Sequence, residues 1–338
     1  MIALGRSRYD MAGDMRLYGF GLRSGLYGLL ICVAACLLVS GPATARAGCQ
    51  IVDLMPQFWK ALDGQNAAAR LRATIVDPHP DLYNDDYVYV PPSPKWEELV
   101  TRDRAYVDAH RREVHEAETY LTTHVRQYMD AFRGTFPDYR CDFVFYIAPS
   151  FGRMDGAAGF VKGQHRLIFA PDVIPRYHKL AELKVLIDHE TFHIYHHQAT
   201  SVFGATADAV PLIEEALWGE GLATFVSWRM NSGVSLDIAL LQPGIPEGAS
   251  PHLAAIANDL LQHLLEKDEA TYNHFFVASQ EPEGYPPRAG YYVGFLIAQR
   301  LASRYTLPEL AKLKGRELTD VITHELRELV TAGMPPSA

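Results

Sequence analysis

Residues 186–193 read Leu-Ile-Asp-His-Glu-Thr-Phe-His. His189 and His193 stand four apart, so on a helix their side chains lie on one face, one turn from each other. Two imidazoles in that relation can reach one Zn²⁺ at about 2.0–2.1 Å. Glu190 follows the first imidazole directly, where its carboxylate reaches water beside an ion and not the ion itself. The flanks are apolar, with Val185, Leu186, Ile187, Phe192 and Ile194. An apolar helix carrying His, Glu and His needs partners for them, because unpaired buried polar groups are costly.

A third ligand is needed. In the metzincin pattern Gly would stand at 196 and His at 199, but the chain has His196 and Ala199. His197 lies about 12 Å along the helix from His189 at 1.5 Å per residue, too far for a shared site. His196 and His197 therefore read as a polar helix end. The next apolar segment, residues 214–224 (EEALWGEGLAT), offers three carboxylates. Glu214 and Glu215 read as groups behind the ligands or as exposed helix-start acids, which the first turn favours. Glu220 sits between Gly219 and Gly221. A helical Gly costs roughly 1 kcal/mol against Ala, and close approach to a neighbouring helix and an ion would justify it.

The elements around these residues follow from periodicity. Residues 57–72 read as a helix, 77–94 as a Pro- and Tyr-rich loop, and 95–133 as one long or two stacked helices. Short strands are expected at 143–147 (FVFYI) and 166–170 (RLIFA), with Gly-rich turns between them. Helices are expected near 178–198, 211–230, 251–277, 289–304 and 307–330, separated by loops at 232–250 and 279–290. Strands before helices without alternation predict an α+β, mostly helical fold with a small antiparallel or mixed sheet, followed by a helical lobe.

The motifs together, H-E-x-x-H followed by Trp218-Gly219-Glu220-Gly221-Leu222-Ala223-Thr224, resemble the gluzincin branch of zinc metallopeptidases. They are particularly similar to bacterial predicted zinc-dependent proteases with a W-x-E-G-L-A helix. The resemblance implies a zincin-like catalytic domain holding one Zn²⁺. It implies His189, His193 and Glu220 as ligands and Glu190 as general base. It points to Tyr291, with Tyr292 second, as the donor that stabilises an oxyanion. Asp188 and Thr224 would orient ligands from behind. The implied substrate is a peptide or protein, with strand 166–170 pairing to it by edge addition. The resemblance is strong over 186–224, weaker over 290–304, and says little about 48–140. Two other readings use the same residues: a zinc hydrolase of a non-peptide, cell-wall type amide, and an inactive zinc-binding interaction module.

Residues 26–39 form an uncharged apolar run preceded by Arg16 and Arg23, with small-x-small sites ending at Ala45 and Ala47. That order is a secretory signal over 1–47. The run is shorter than the roughly 20 residues of a bilayer span. The expected protein is therefore exported, periplasmic or extracellular, with no stable span after cleavage. Its regions are 48–140 (N-terminal, helical), 141–304 (catalytic core) and 305–338 (a C-terminal helical segment). Loss of 1–47 removes five Arg and two Asp and moves the net charge from −9 to −12. Acidity of that size excludes general nucleic-acid binding. Cys49 and Cys141 are the two cysteines left, free to pair in an oxidising compartment.

Overall fold

The computed structural model describes residues 49–85, 87–202, 210–277, 284 and 286–332. The expected signal over 1–47 lies outside them. No helix among the described residues is long and apolar enough to cross a membrane.

The chain opens with β1 (Gln50–Asp53), α1 (Met55–Leu62) and α2 (Ala67–Leu71), the last running into a π turn at Arg72–Val76. The single helix expected at 57–72 is thus broken at 63–66, where Asn66 adopts a left-handed φ of 55°. After an irregular stretch come α3 (Lys95–Ala109) and α4 (Arg111–Thr135), the two-helix form of the 95–133 pattern. Strands β2 (Val144–Ile147), β3 (Gly156–Val161) and β4 (Gln164–Phe169) follow.

The sheet has the order β1-β2-β4-β3. β1 and β4 each pair with β2 in parallel, and β3 pairs with β4 antiparallel. Two expectations change here. β3 forms within the segment read as turns. Its glycines hide the strand pattern, yet a Cβ at Gly156 would press on the Phe169 ring at 2.9 Å, so the strand needs Gly where it crosses that ring. The β3–β4 hairpin turns on Lys162 and Gly163, both with positive φ. In addition, β4, the strand expected to receive a peptide at its edge, is interior and paired on both sides. The outer edge on this side belongs to β3, where the Ala158 N–H is donated to the Glu190 side chain. The boundary expected at 140/141 falls between β1 and β2, which pair, and a Cys49–Cys141 disulfide crosses it with Cα atoms 4.9 Å apart.

The remainder is helical: α5 (Leu183–Thr200), α6 (Ile213–Met230), α7 (Leu236–Ala239), α8 (Ile245–Ala249), α9 (Leu253–His263), α10 (Glu269–Phe276), α11 (Ala289–Leu301), α12 (Leu307–Leu310) and α13 (Gly315–Ala332). Short helices thus occupy the loop expected at 232–250, and the helix expected at 307–330 breaks between α12 and α13. The helix expected at 251–277 breaks at 264–268 for a traceable reason. The carbonyls of Leu264 and Glu266 turn to accept the N–H groups of Glu214 and Ile213 at 2.9 and 3.1 Å. The break thereby satisfies the orphan donors at the start of α6. Asp268 then restarts the chain as α10, its Oδ1 accepting the Thr271 N–H at 2.9 Å.

α5 and α6 are buried on almost every side, which accounts for their lack of a polar face. α4 covers one flank of α5 through Phe132 and, just past its end, Phe136, whose ring lies 4.5 Å from that of Tyr195. α11 covers α6 at backbone distance. A Cβ on Gly221 would overlap Gly294 Cα, and one on Gly294 would sit 2.8 Å from Gly221 Cα. Gly221→Ala should therefore wedge the helices apart and cost about 1–3 kcal/mol, as overpacking does. Gly134→Ala, at a helical site with no atom within 4 Å of the added carbon, should gain about 0.5–1 kcal/mol. Urea midpoints of the two variants would check the opposite signs.

Candidate metal centre

α5 presents His189 and His193 one turn apart, and α6 crosses so that Glu220 meets both. The two Nε2 atoms are 3.2 Å apart. Each lies 3.4 Å from Glu220 Oε2. These three side chains form the metal-competent group among the described residues. Ligand atoms at about 2.0–2.1 Å around a tetrahedral ion are about 3.3 Å apart, so the donor triangle has the size such an ion requires. His189 is fully buried, while His193 and Glu220 stay 15% and 11% open, so one side of the triangle faces accessible space.

The electrostatics agree with the donor set. Burial pushes the His189 imidazole below its ordinary pKa. Burial works to raise Glu220, but His193 and His189 overcome it and hold the carboxyl well below the usual carboxylate range. Neutral imidazole and ionised carboxylate are the forms that bind a cation. Glu220 Oε2 is buried and makes no hydrogen bond of ordinary geometry. A buried carboxylate oxygen of that kind is what a cation would satisfy.

Glu190 lies on α5 beside this group, and its Oε2 accepts the backbone N–H of Ala158 at 3.0 Å. The bond ties the carboxylate to β3, and a Cβ at Gly156 would meet Glu190 Cγ at 3.5 Å. The strand that sequence periodicity missed is therefore the one that holds Glu190. Its signal was the Lys162-Gly163 pair in front of an apolar run.

Of the two tyrosines, Tyr291 faces the centre. Its ring lies nearly parallel to that of His189, 6.4 Å away. Tyr292 turns off to pair its hydroxyl with Ser250 at 3.0 Å. Thr224 is fully buried and donates to the Glu220 carbonyl at 2.8 Å, fixing the backbone that carries the carboxylate. Asp188 is directed elsewhere. Its Oδ2 accepts from Lys184 at 2.6 Å and Asn231 at 2.7 Å, so it locks α5 to the end of α6 and contacts no ligand through these bonds.

Two further expectations change, those for Glu214 and for residues 196–197, while Glu215 keeps a helix-start place. Glu214 is buried and accepts from Thr319 of α13 at 3.1 Å, so it is not an exposed helix-start acid. Glu215 caps α6 by accepting the Leu212 N–H at 3.1 Å. The polar helix end read at 196–197 is also divided. His197 meets His165 of β4 at 2.7 Å on the wall of a cavity of about 310 Å³. His196 is buried, stacks on Phe192, and has no partner for Nε2.

Burial holds the His196 imidazole neutral, with its pKa pushed down to about 3. The unfolded chain takes up a proton near pH 6.5 that the folded chain refuses, so stability is full above pH 6.5 and falls as pH drops toward 3. The share of His196 is at most about 1.4 kcal/mol per pH unit. In metal-free protein, His196→Leu should flatten the fall by about that slope, read from urea midpoints at several pH values between 7 and 4.

Compared with known protein families, curated proteins and solved structures, the chain matches none.

Proposed function

We propose that this chain is an exported zinc peptidase of gluzincin type, with a zincin-like catalytic domain built on α5, α6 and the β3 edge. The observation that carries the reading is the donor triangle of His189, His193 and Glu220, 3.2–3.4 Å on each side, with the Glu190 carboxylate tethered beside it. The Cys49–Cys141 disulfide supports export, because such bonds persist in oxidising compartments.

His189, His193 and Glu220 would hold the ion. When bound, Zn²⁺ supplies Lewis acidity, which polarises a carbonyl and makes a neighbouring water a better nucleophile. Glu190 takes the proton that the attacking water loses and returns it to the departing amine nitrogen. Tyr291 donates a hydrogen bond to the carbonyl oxygen as negative charge builds on it. The outer edge of β3 pairs with an extended peptide and lays the bond across the face of the triangle. Arg288, just before α11, lays its guanidinium over the ring of Tyr291.

Metal analysis of purified protein should give one equivalent of zinc in the wild type, and His193→Ala should lose it. Glu190→Gln should keep the zinc and lose at least about 100-fold in cleavage of a peptide library, in line with loss of a general base. Protein without zinc would end the reading. Zinc without cleavage in the wild type would favour the interaction module. Activity surviving in Glu190→Gln would remove Glu190 as base.

A further inference from the structure

Arg288 is anomalous on three counts. Its residue is 95% buried, at 5% exposure, yet no carboxylate among the described residues pairs with it, and its Nη2 has no hydrogen-bond partner. Its backbone is in the left-handed region, with φ 61°, at the position just before α11. Its guanidinium lies over the ring of Tyr291, 3.9 Å from the centroid.

Each feature costs stability. A guanidinium removed from water without an anion forgoes the solvation that a partner would replace. A bulky residue with positive φ carries backbone strain of a kind that gathers at functional sites. The cation–π contact recovers only part of this. Because the Tyr291 ring stands 6.4 Å from His189, the guanidinium lies at most about 10 Å from the metal-ligand ring. That is within about three residues of an extended peptide. The fixed fork of a guanidinium is matched by a carboxylate, which accepts two parallel N–H bonds.

We infer that Arg288 is a carboxylate-binding residue beside the His189–His193–Glu220 group, and that the preferred substrate carries a carboxylate within about three residues of that group. The substrate class named here rests on the peptidase reading. The carboxylate belongs either to the free C-terminus of the peptide or to an Asp or Glu side chain. Arg288 acts in binding and positioning, and takes no proton in the reaction.

The test uses full-length, zinc-loaded Glu190→Gln protein, which holds peptides without cutting them. One short neutral peptide is supplied in three forms: with a C-terminal amide, with a free C-terminal carboxylate, and as the amide with one internal Glu. Dissociation constants come from calorimetry. The expected result is binding tighter by about 10- to 100-fold for one carboxylate form than for the neutral amide, the range of a charge-assisted hydrogen bond. The form that gains identifies the source of the carboxylate. Adding Arg288→Gln should abolish the difference without lowering the melting temperature, since it removes an unpaired buried charge. An arginine with a merely structural role would instead lower it. Equal binding of all three peptides, or a preference that survives Arg288→Gln, would overturn the assignment. If no peptide binds in any form, the peptidase reading falls, and the carboxylate site is then decided by thermal shift with citrate against chloride at equal ionic strength. A rise seen with Arg288 and absent in Arg288→Gln supports the site, and no rise overturns it.

Discussion

Three donor atoms on two helices have to be held within about 3.4 Å of one another, although burying them together costs all three their solvation. Two imidazoles and a carboxylate do not gather in an apolar interior of their own accord. The surrounding packing has to impose the arrangement, and most of the helical fold can be understood as the apparatus that does so. α4 braces the outer flank of α5 with aromatic rings. Asp188 joins Lys184 on α5 to Asn231 at the end of α6. Thr224 fixes the carbonyl of Glu220 itself.

The crossing of α6 and α11 completes the apparatus from the other side. Gly221 and Gly294 let the two backbones touch. One helix therefore sets the position of Glu220, and the other brings the Tyr291 ring to 6.4 Å from that of His189, with the Arg288 guanidinium over it. Gly219 has a different environment, with only His196 Nδ1 at 4.0 Å from an added carbon. Of the two glycines that flank Glu220, Gly221 is thus the one explained by close approach.

The metal-competent group was legible in the chain because helical periodicity turns a spacing of four into a shared face, and that holds wherever the helix lies. Glu220 was legible for a related reason, as a charged residue between glycines in an apolar helix. The tether of Glu190 was not legible. It depends on β3, whose Gly156 answers to the bulk of Phe169 on the next strand and whose Gly159 answers to the ring of Tyr87, and no local pattern reports such contacts. The break at 264–268 was hidden in the same way, because its carbonyls serve the start of α6 some fifty residues earlier. The burial of Arg288 was not legible either. A single arginine after two prolines looks like loop surface, and only the folded chain reveals that its charge is enclosed.

The place of β1 has a consequence for how the molecule assembles. It is an edge strand of four residues whose parallel partner, β2, lies more than ninety residues further along the chain. Contacts so distant in sequence are slow to form, because the intervening loop has to be closed before they give any return. Until β1 arrives, β2 presents an uncovered row of backbone donors and acceptors, the kind of edge that invites pairing with another chain. The nascent protein is therefore most prone to self-association during the interval before its first strand docks, and the covalent link between Cys49 and Cys141 ends that interval by making the docking permanent.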